Sequence, residues 1–297
     1  MGHRHHISGK NLGIAVILNI LITLVQIIGG VISGSLAIIS DALHNFSDVL
    51  GLIIAYFAHK LSKRKQSYIQ TYGFKRAEVL AAFINASTLI MVAIYLIAES
   101  VKRFFEPQEI FPDMVIWLAF FSIIANGISV LLLMKDAKHN INIRAAYWHL
   151  FSDMLTSIAV LAGGLIMKYT GIYGVDAVLS ILIALYLIIL GVKLWRESFE
   201  ILMEFAPREI DIAEISRRIK QVNEIKNIHH IHIWRLNDRD IHMEAHLTLK
   251  NDIPLSQFDL VCEQVENILK NEFGIAHTNL QPEFSRNDSQ LLIIQDG

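Results

Sequence analysis

The chain has 297 residues, of which 53% are hydrophobic and 18% are charged, and its formal net charge is -2. That apolar content excludes an ordinary soluble domain, and the near-neutral charge gives no concentrated basic surface for a nucleic acid. Cys262 is the only cysteine, which excludes intramolecular disulfides and thiolate-rich metal sites. A metal site in this chain must therefore use histidine and carboxylate ligands.

Residues 1–11 are predicted to form a cytoplasmic, histidine-containing leader. The leader lacks the small-residue cleavage pattern of a signal peptide, so we expect the first apolar run to remain as a span. Six apolar runs are long enough to cross a bilayer core of about 30 Å, because a helix rises about 1.5 Å per residue. The transmembrane domain is predicted at 12–206, with spans at 12–32, 36–57, 79–98, 114–134, 146–167 and 174–195.

Basic residues predict the orientation of these spans. An even number of spans puts both ends of the chain on one side, and the side richer in Lys and Arg faces the cytoplasm. Lys102, Arg103 and Lys168 fall opposite the termini. Eleven basic residues lie on the same side as the termini: Arg4, Lys10, Lys60, Lys63, Arg64, Lys65, Lys75, Arg76, Lys135, Lys138 and Arg144. Both termini are therefore predicted to be cytoplasmic, and the default membrane is a bacterial inner membrane because no organelle signal is visible.

The pattern changes after Pro207. An amphipathic helix is predicted at 210–222, and the alternating segments IHHIHIWRL and IHMEAHLTL predict two strands. A second helix is predicted at 254–272, followed by a strand in IAHTNLQPEF. The order αββαβ predicts a small, open, ferredoxin-like α+β domain at 207–284, followed by a polar tail, 285–297, that frays.

Two spans carry pairs of ionisable residues: His44 with Asp48, and His149 with Asp153. The spacing i, i+4 puts both members of a pair on one helix face. Burying such a group in a membrane costs roughly a few kcal/mol or more, so each is expected to have a structural or functional role. Hydrogen bonding between helices is one such role. The repeated H-x-x-x-D pattern favours another, a closed site of two nitrogens and two oxygens that suits tetrahedral zinc.

Charge balance links such a site to protons. Two carboxylates neutralise a divalent cation, whereas without the cation they are unpaired in a low-dielectric region and take up protons. Metal binding needs neutral histidine and ionised aspartate, so it displaces those protons. The sequence therefore predicts exchange of a divalent metal for protons.

Long segments of the chain resemble the cation diffusion facilitator family, in its branch of zinc transporters and cobalt–zinc–cadmium exporters. The resemblance covers nearly the whole chain and is carried by SGSLAIISDALHNFSD, YGFKRAEVLAAFIN, NINIRAAYWHLFSDMLTSIAV, IHHIHIWRL and EAHLTL. It implies a homodimer, metal and proton antiport, and a metallochaperone-like cytoplasmic domain. It also implies a transport site at His44, Asp48, His149 and Asp153. Histidine at position 44 resembles the zinc-preferring members, with cobalt, cadmium and manganese left open.

The soluble domain is rich in histidine, and the family resemblance marks His229, His246, His277 and Glu283 as candidates for a regulatory zinc site. His232 and His242 either bind metal as part of this histidine cluster or are solvated or packed residues. The leader's His3, His5 and His6 resemble a short motif that completes this site from the partner subunit in some relatives. A polar leader and an expression remnant are the alternatives for that segment.

Further polar residues lie in the spans. Asp41, three residues before His44, either accepts a hydrogen bond from a ligand of the metal site or is a structural partner in helix packing. The loop segment KLSKRKQSYIQTYG has no His or Asp, and the loop before the fifth span has only His139, so extra metal sites of some relatives are expected to be absent. Other polar residues, which line an access route or pack helices, are Asn19, Gln26, Asn85, Asn126 and Asp176.

Two other classes of function compete with transport. An intramembrane zinc hydrolase needs an open metal position and a general base, and the sequence has no H-E-x-x-H and no glutamate beside the two pairs. A channel or metal sensor favours weak, multiple binding rather than a closed cage. We therefore expect a transporter with alternating access and no enzymatic activity.

Overall fold

The computed structural model describes residues 5–134, 136–138, 141–286, 289 and 291–293. The chain divides into two compact units. The first contains Met1–Tyr56 and Ile84–Trp195, and the second contains Phe57–Phe83 and Arg196–Gly297. Each unit is built around its own hydrophobic core.

Six helices in the described residues are long and apolar enough to cross a membrane. This confirms the predicted number of spans. The helices are α1 (His5–Ser33), α2 (Leu36–Ser62), α3 (Ala77–Phe105), α4 (Pro112–Leu133), α5 (Ile141–Thr170) and α6 (Gly174–Leu202).

Helix α1 begins earlier than expected. The sequence predicted a leader up to residue 11, but the backbone is already helical at His5. Residues 5–11 are helical as well, so α1 extends about two turns before the apolar stretch. His3 lies outside the described residues, and so do the side chains of His5 and His6.

The first unit is packed through the apolar faces of its helices. Helix α4 lies against both α1 and α5. The turn between α1 and α2 is made by Gly34, whose φ of 74° is a left-handed value that glycine adopts without strain. A cluster of buried side chains joins α2 through α6, with Leu36, Ile38, Leu96, Val115, Val160 and Leu187 among its members.

Asp176 of α6 holds the first turn of α2. Its carboxylate accepts a hydrogen bond from the Ser35 hydroxyl at 2.5 Å and from the Leu36 backbone N–H at 2.7 Å. The first N–H groups of a helix have no partner within the helix, so a buried carboxylate there acts as a cap supplied by a neighbour. This contact fixes the position of α2 along its axis. Its partner Ser35 lies nine residues before His44.

The second unit contains the predicted αββαβ domain. Its elements are α7 (Ile212–Ile219), β1 (Ile225–Arg235), β2 (Ile241–Leu249), α8 (Leu255–Phe273) and β3 (His277–Glu283). The sheet order is β1-β2-β3, with β1 and β2 antiparallel and β2 and β3 parallel. One sheet face and both helices bury an apolar core that includes Ile215, Ile228, Met243, Leu247, Val265 and Leu269.

A bulge interrupts β1 between His229 and His232, and His230 there has a φ of 51°. The backbone N–H groups of His230 and Ile231 donate to the carbonyls of Leu291 and Leu292 at 3.1 and 2.8 Å. The tail was expected to fray, but these two residues return to the sheet. The bulge leaves N–H groups that β2 does not pair, and the tail supplies their acceptors.

Candidate metal centres

Helices α2 and α5 bring the four predicted transport residues together within the first unit. His44 Nε2 lies 3.4 Å from Asp153 Oδ1, and His149 Nε2 lies 3.2 Å from Asp48 Oδ2. Within each helix, the distance from histidine nitrogen to carboxylate oxygen is 3.6 Å for the α2 pair and 3.5 Å for the α5 pair. Each carboxylate therefore faces both imidazoles, which themselves stand edge to face at 5.6 Å between centroids.

This cluster offers lone pairs to a cation. One ligand atom from each of His44, Asp48 and His149 lies within 4.8 Å of the other two. In the described structure, His44 Nδ1, Asp48 Oδ2 and Asp153 Oδ2 are buried atoms that have no hydrogen-bond partner. Such atoms are rare in folded proteins because their desolvation is unfavourable. The donor set of two imidazoles and two carboxylates fits a tetrahedral divalent ion.

The two ends of the cluster differ in exposure. The side chains of His44 and Asp153 are 6% and 2% exposed, whereas those of Asp48 and His149 are 34% and 39% exposed. The cluster is thus buried on one side and partly exposed on the other.

A buried polar network extends from Asp41 of α2, one helical turn before His44. Gln26 of α1 donates to Asp41 Oδ2 at 2.6 Å and to Ser122 Oγ of α4 at 3.3 Å. Ser122 and Ser157 are 2.8 Å apart across α4 and α5. These contacts make Asp41 and Gln26 part of the packing between helices, which was one of the two alternatives for each. The serines were missed, since an isolated serine in a span carries little signal.

Tyr186 of α6 is a further neighbour that the sequence did not indicate. Its ring lies edge to face with His44 at 6.1 Å, and its hydroxyl lies 3.2 Å from the hydroxyl of Ser152. Tyr186 sits in an apolar stretch, LIALYLIIL, in which a tyrosine is unremarkable. Helix α6 therefore borders the cluster without contributing a ligand to it.

A second cluster lies in the cytoplasmic domain. His229 of β1 and His246 of β2 are directly paired in the sheet, and Glu283 ends β3 beside them. His229 Nε2 is 3.2 Å from Glu283 Oε2, and His246 Nδ1 is 2.8 Å from Glu283 Oε1. His229 and Glu283 are buried, and the three ligand atoms fit within 4.8 Å. Two nitrogens and one carboxylate suit zinc, with one position of a tetrahedron left for a further ligand.

His277 does not join this second cluster. The parallel register pairs His277 with His242, whereas His246 pairs with Gln281. His277 is therefore four residues along β3 from the position beside His246, too far for a shared ion. Its ring instead stacks on His242 at 4.6 Å. Burial lowers the pKa of His242, and the neighbouring His277 adds to that effect.

A positively charged side chain lies beside the second cluster. Arg286 Nη1 lies 3.1 Å from Glu283 Oε1, so a fixed cation already neighbours one ligand. Further along the sheet, Lys75 donates to Asp240 at 2.7 Å and lowers the pKa of that carboxyl. His232 is exposed, consistent with the solvated interpretation.

Six helices able to span a membrane, ahead of a small α+β domain, define a multi-pass membrane protein. A family profile described as the cation efflux transmembrane domain matches residues 12–203, and one described as the cation efflux protein cytoplasmic domain matches residues 207–285. The chain belongs to the cation efflux family, the cation diffusion facilitators, which confirms the resemblance found in the sequence.

Three relatives show how far the similarity extends. The cadmium, cobalt and zinc/H(+)-K(+) antiporter of Bacillus subtilis is 33% identical over 95% of this chain and 92% of its own length. The zinc transporter ZitB of Escherichia coli is 34% identical over 88% of this chain and 83% of its own. The metal cation efflux system protein CzcD of Cupriavidus metallidurans is 33% identical over 96% and 90%.

Proposed function

We propose that this chain moves zinc, or a similar divalent metal ion, out of the cytoplasm in exchange for protons. The observation that carries the proposal is the meeting of His44, Asp48, His149 and Asp153 from two spanning helices, where each carboxylate lies within 3.6 Å of both imidazoles. The names of the relatives, a zinc transporter and an antiporter of cadmium, cobalt and zinc with protons and potassium, support the same substrate class.

Exchange with protons follows from the charges at this cluster. No lysine or arginine forms an ion pair with Asp48 or Asp153 among the described residues. Their charge is balanced either by a divalent ion or by protons on the cluster. A metal ion binds through ionised aspartate and neutral histidine, so its arrival displaces the protons and its departure readmits them.

The placement of the ligands on separate helices suits alternating access. Small tilts of α2 and α5 change which side of the cluster is open while the ligands stay in the same helices. The half-exposed pair Asp48 and His149 forms the accessible side, and the buried pair His44 and Asp153 forms the closed side. The sequence has no H-E-x-x-H pattern of a zinc hydrolase, so the proposal includes no enzymatic step.

The remaining parts of the proposal concern assembly and control. The protein works as a homodimer with both termini in the cytoplasm, in a bacterial inner membrane. His229, His246 and Glu283 hold a regulatory zinc ion, which shifts transport only if the ion binds one transport state better than the other.

The test is zinc flux into vesicles that contain the reconstituted protein, a zinc dye and a pH dye. Zinc uptake that requires a proton gradient, and that Asp153→Ala abolishes, is the expected result. Asp113→Ala is the matched control, because Asp113 is an exposed carboxylate of the same unit, paired with Lys168. Flux that ignores the gradient would point to a channel instead.

A further inference from the structure

Residues 49–77, from the residue after Asp48 to the first residue of α3, contain no aspartate or glutamate. They contain six basic residues: Lys60, Lys63, Arg64, Lys65, Lys75 and Arg76. An uninterrupted excess of positive charge beside a spanning helix is a feature that anionic lipid headgroups recognise. Basic residues at this position also orient a membrane protein, so charge alone does not distinguish the two roles.

The structure separates these six residues into two groups. Lys75 and Arg76 each have a carboxylate partner in the second unit, Asp240 at 2.7 Å and Glu204 at 2.6 Å. The other four, the basic cluster Lys60, Lys63, Arg64 and Lys65, are exposed and have no ion-pair partner among the described residues. All four lie in or directly after the last turn of α2, a helix that is long and apolar enough to cross a membrane.

Beyond the basic cluster, the loop presents two apolar residues at a structured tip. Ser67 and Gln70 exchange backbone hydrogen bonds, each at 3.1 Å, and so close a tight turn around Tyr68 and Ile69. The Ser67 hydroxyl also accepts from the Gln70 N–H at 3.2 Å. Tyr68 and Ile69 are fully exposed, with relative accessibilities of 106% and 95%. The turn therefore displays this pair rather than burying it.

We propose that the loop 60–70 docks on the anionic lipid surface of the leaflet where α2 ends. The basic cluster binds the phosphates of acidic phospholipid headgroups, and Tyr68 and Ile69 insert at the interface. Charge complementarity selects this occupant over a second copy of the chain, because an exposed run without one carboxylate repels its own copy. Each basic residue near such a surface strengthens the attraction about fivefold at low salt.

Because this loop joins α2 to α3, its docking fixes the ends of two spanning helices. The ligands His44 and Asp48 lie on the first of these helices. Lipid composition is thereby expected to influence the helix that carries half of the candidate transport site.

A fluorescent label at the loop tip tests the proposal in the full-length protein. The label is attached to Gln70→Cys in a Cys262→Ala background, since the Gln70 side chain takes no part in the turn. The protein is placed in nanodiscs of phosphatidylcholine alone or with phosphatidylglycerol, and quenching by neutral acrylamide is measured. We expect quenching to fall at least about threefold with phosphatidylglycerol and to recover at about 1 M salt, where the Debye length is about 3 Å.

Matched variants identify the residues responsible. K63Q/R64Q/K65Q is expected to remove the effect of phosphatidylglycerol. K220Q/K226Q/K270Q removes the same charge from exposed lysines of the soluble domain and is expected to leave the effect intact. Y68S/I69S is expected to keep the salt sensitivity but to weaken the protection from acrylamide that phosphatidylglycerol gives.

Three outcomes would overturn the proposal. One is equal quenching in both lipids. Another is shielding in phosphatidylcholine that salt and the charge variants leave unchanged, which would indicate a contact with a second copy of the chain. The third is an equal loss of the phosphatidylglycerol effect in K220Q/K226Q/K270Q, which would show that the effect depends only on the net charge of the protein.

Discussion

The two clusters use the same ligand chemistry in different surroundings. In the membrane unit, histidine and aspartate come from two separate helices, and no fixed cation pairs with the carboxylates among the described residues. In the cytoplasmic domain, the ligands come from three adjacent strands joined by backbone hydrogen bonds, and Arg286 accompanies Glu283. Helices that pack through side chains can tilt, whereas paired strands keep their spacing. Mobility and charge balance, rather than ligand type, therefore distinguish the cluster proposed for transport from the cluster proposed for zinc sensing.

The largest expected effect is the loss of transport when a ligand of the membrane cluster is removed. His149→Ala is expected to reduce zinc flux by more than about 100-fold, since even a residue that only supports a metal ligand contributes about 10–100-fold. The matched change His246→Ala should leave the maximal flux within about twofold and alter only its dependence on cytoplasmic zinc. Initial rates of zinc uptake across a range of zinc concentrations measure both. Equal loss of flux in the two variants would contradict the different roles proposed for the two clusters.

A smaller effect is expected from the contact that positions α2. Asp176→Ala leaves the Ser35 hydroxyl and the Leu36 N–H buried without their acceptor, so the free energy of unfolding should fall by about 2–3 kcal/mol. Asp176→Asn keeps an acceptor oxygen and should lose less than half of that amount. Denaturant unfolding of the purified protein, followed by tryptophan fluorescence, gives the values. The strands of the cytoplasmic cluster depend on no such distant cap, so its zinc affinity should not change.

Removing the cation beside the cytoplasmic cluster should strengthen metal binding there. Arg286 is 56% exposed, so solvent screens its effect, and Arg286→Ala is expected to raise zinc affinity by at most about fivefold. Titration calorimetry in a His149→Ala background isolates this cluster. A weaker affinity in Arg286→Ala would show that the arginine orients Glu283 instead of competing with the ion.

The smallest effect concerns pH. The hydrogen bond from Lys75 lowers the pKa of Asp240 in the folded protein, so the unfolded state binds the proton more readily. The stabilisation is complete above the pKa of the unfolded chain, about 3.9, and is lost as the pH falls through the lower folded value. Both partners are partly exposed, so the contribution is below about 1 kcal/mol. The free energy of unfolding, measured at pH 6 and pH 3, should lose this contribution to its pH dependence in Asp240→Asn. Asp259→Asn, at an exposed carboxylate, should leave the pH dependence unchanged.

Each His–Asp pair of the membrane cluster could be predicted from the sequence by two local rules, and the family resemblance implied that the two pairs meet. The i, i+4 spacing places each histidine beside its aspartate, and the cost of burying ionisable groups implies a purpose for them. His277 was misplaced because the sequence does not specify the register of β3 against β2, and four residues of shift separate His242 from His246. The bulge at His230 and the pairing of Lys75 with Asp240, 165 positions apart, depend on tertiary contacts that no local pattern contains.

The most direct test of the account counts the protons released when zinc binds the membrane cluster. Calorimetric titration of the H246A/E283A protein with zinc, in buffers of different ionisation enthalpy, reports that number for the full-length chain. We predict at least about one proton released per zinc ion near neutral pH, and no zinc binding of comparable affinity when Asp153→Ala is added. Tight zinc binding with heats that do not depend on the buffer, or binding that survives Asp153→Ala, would contradict the proposed exchange.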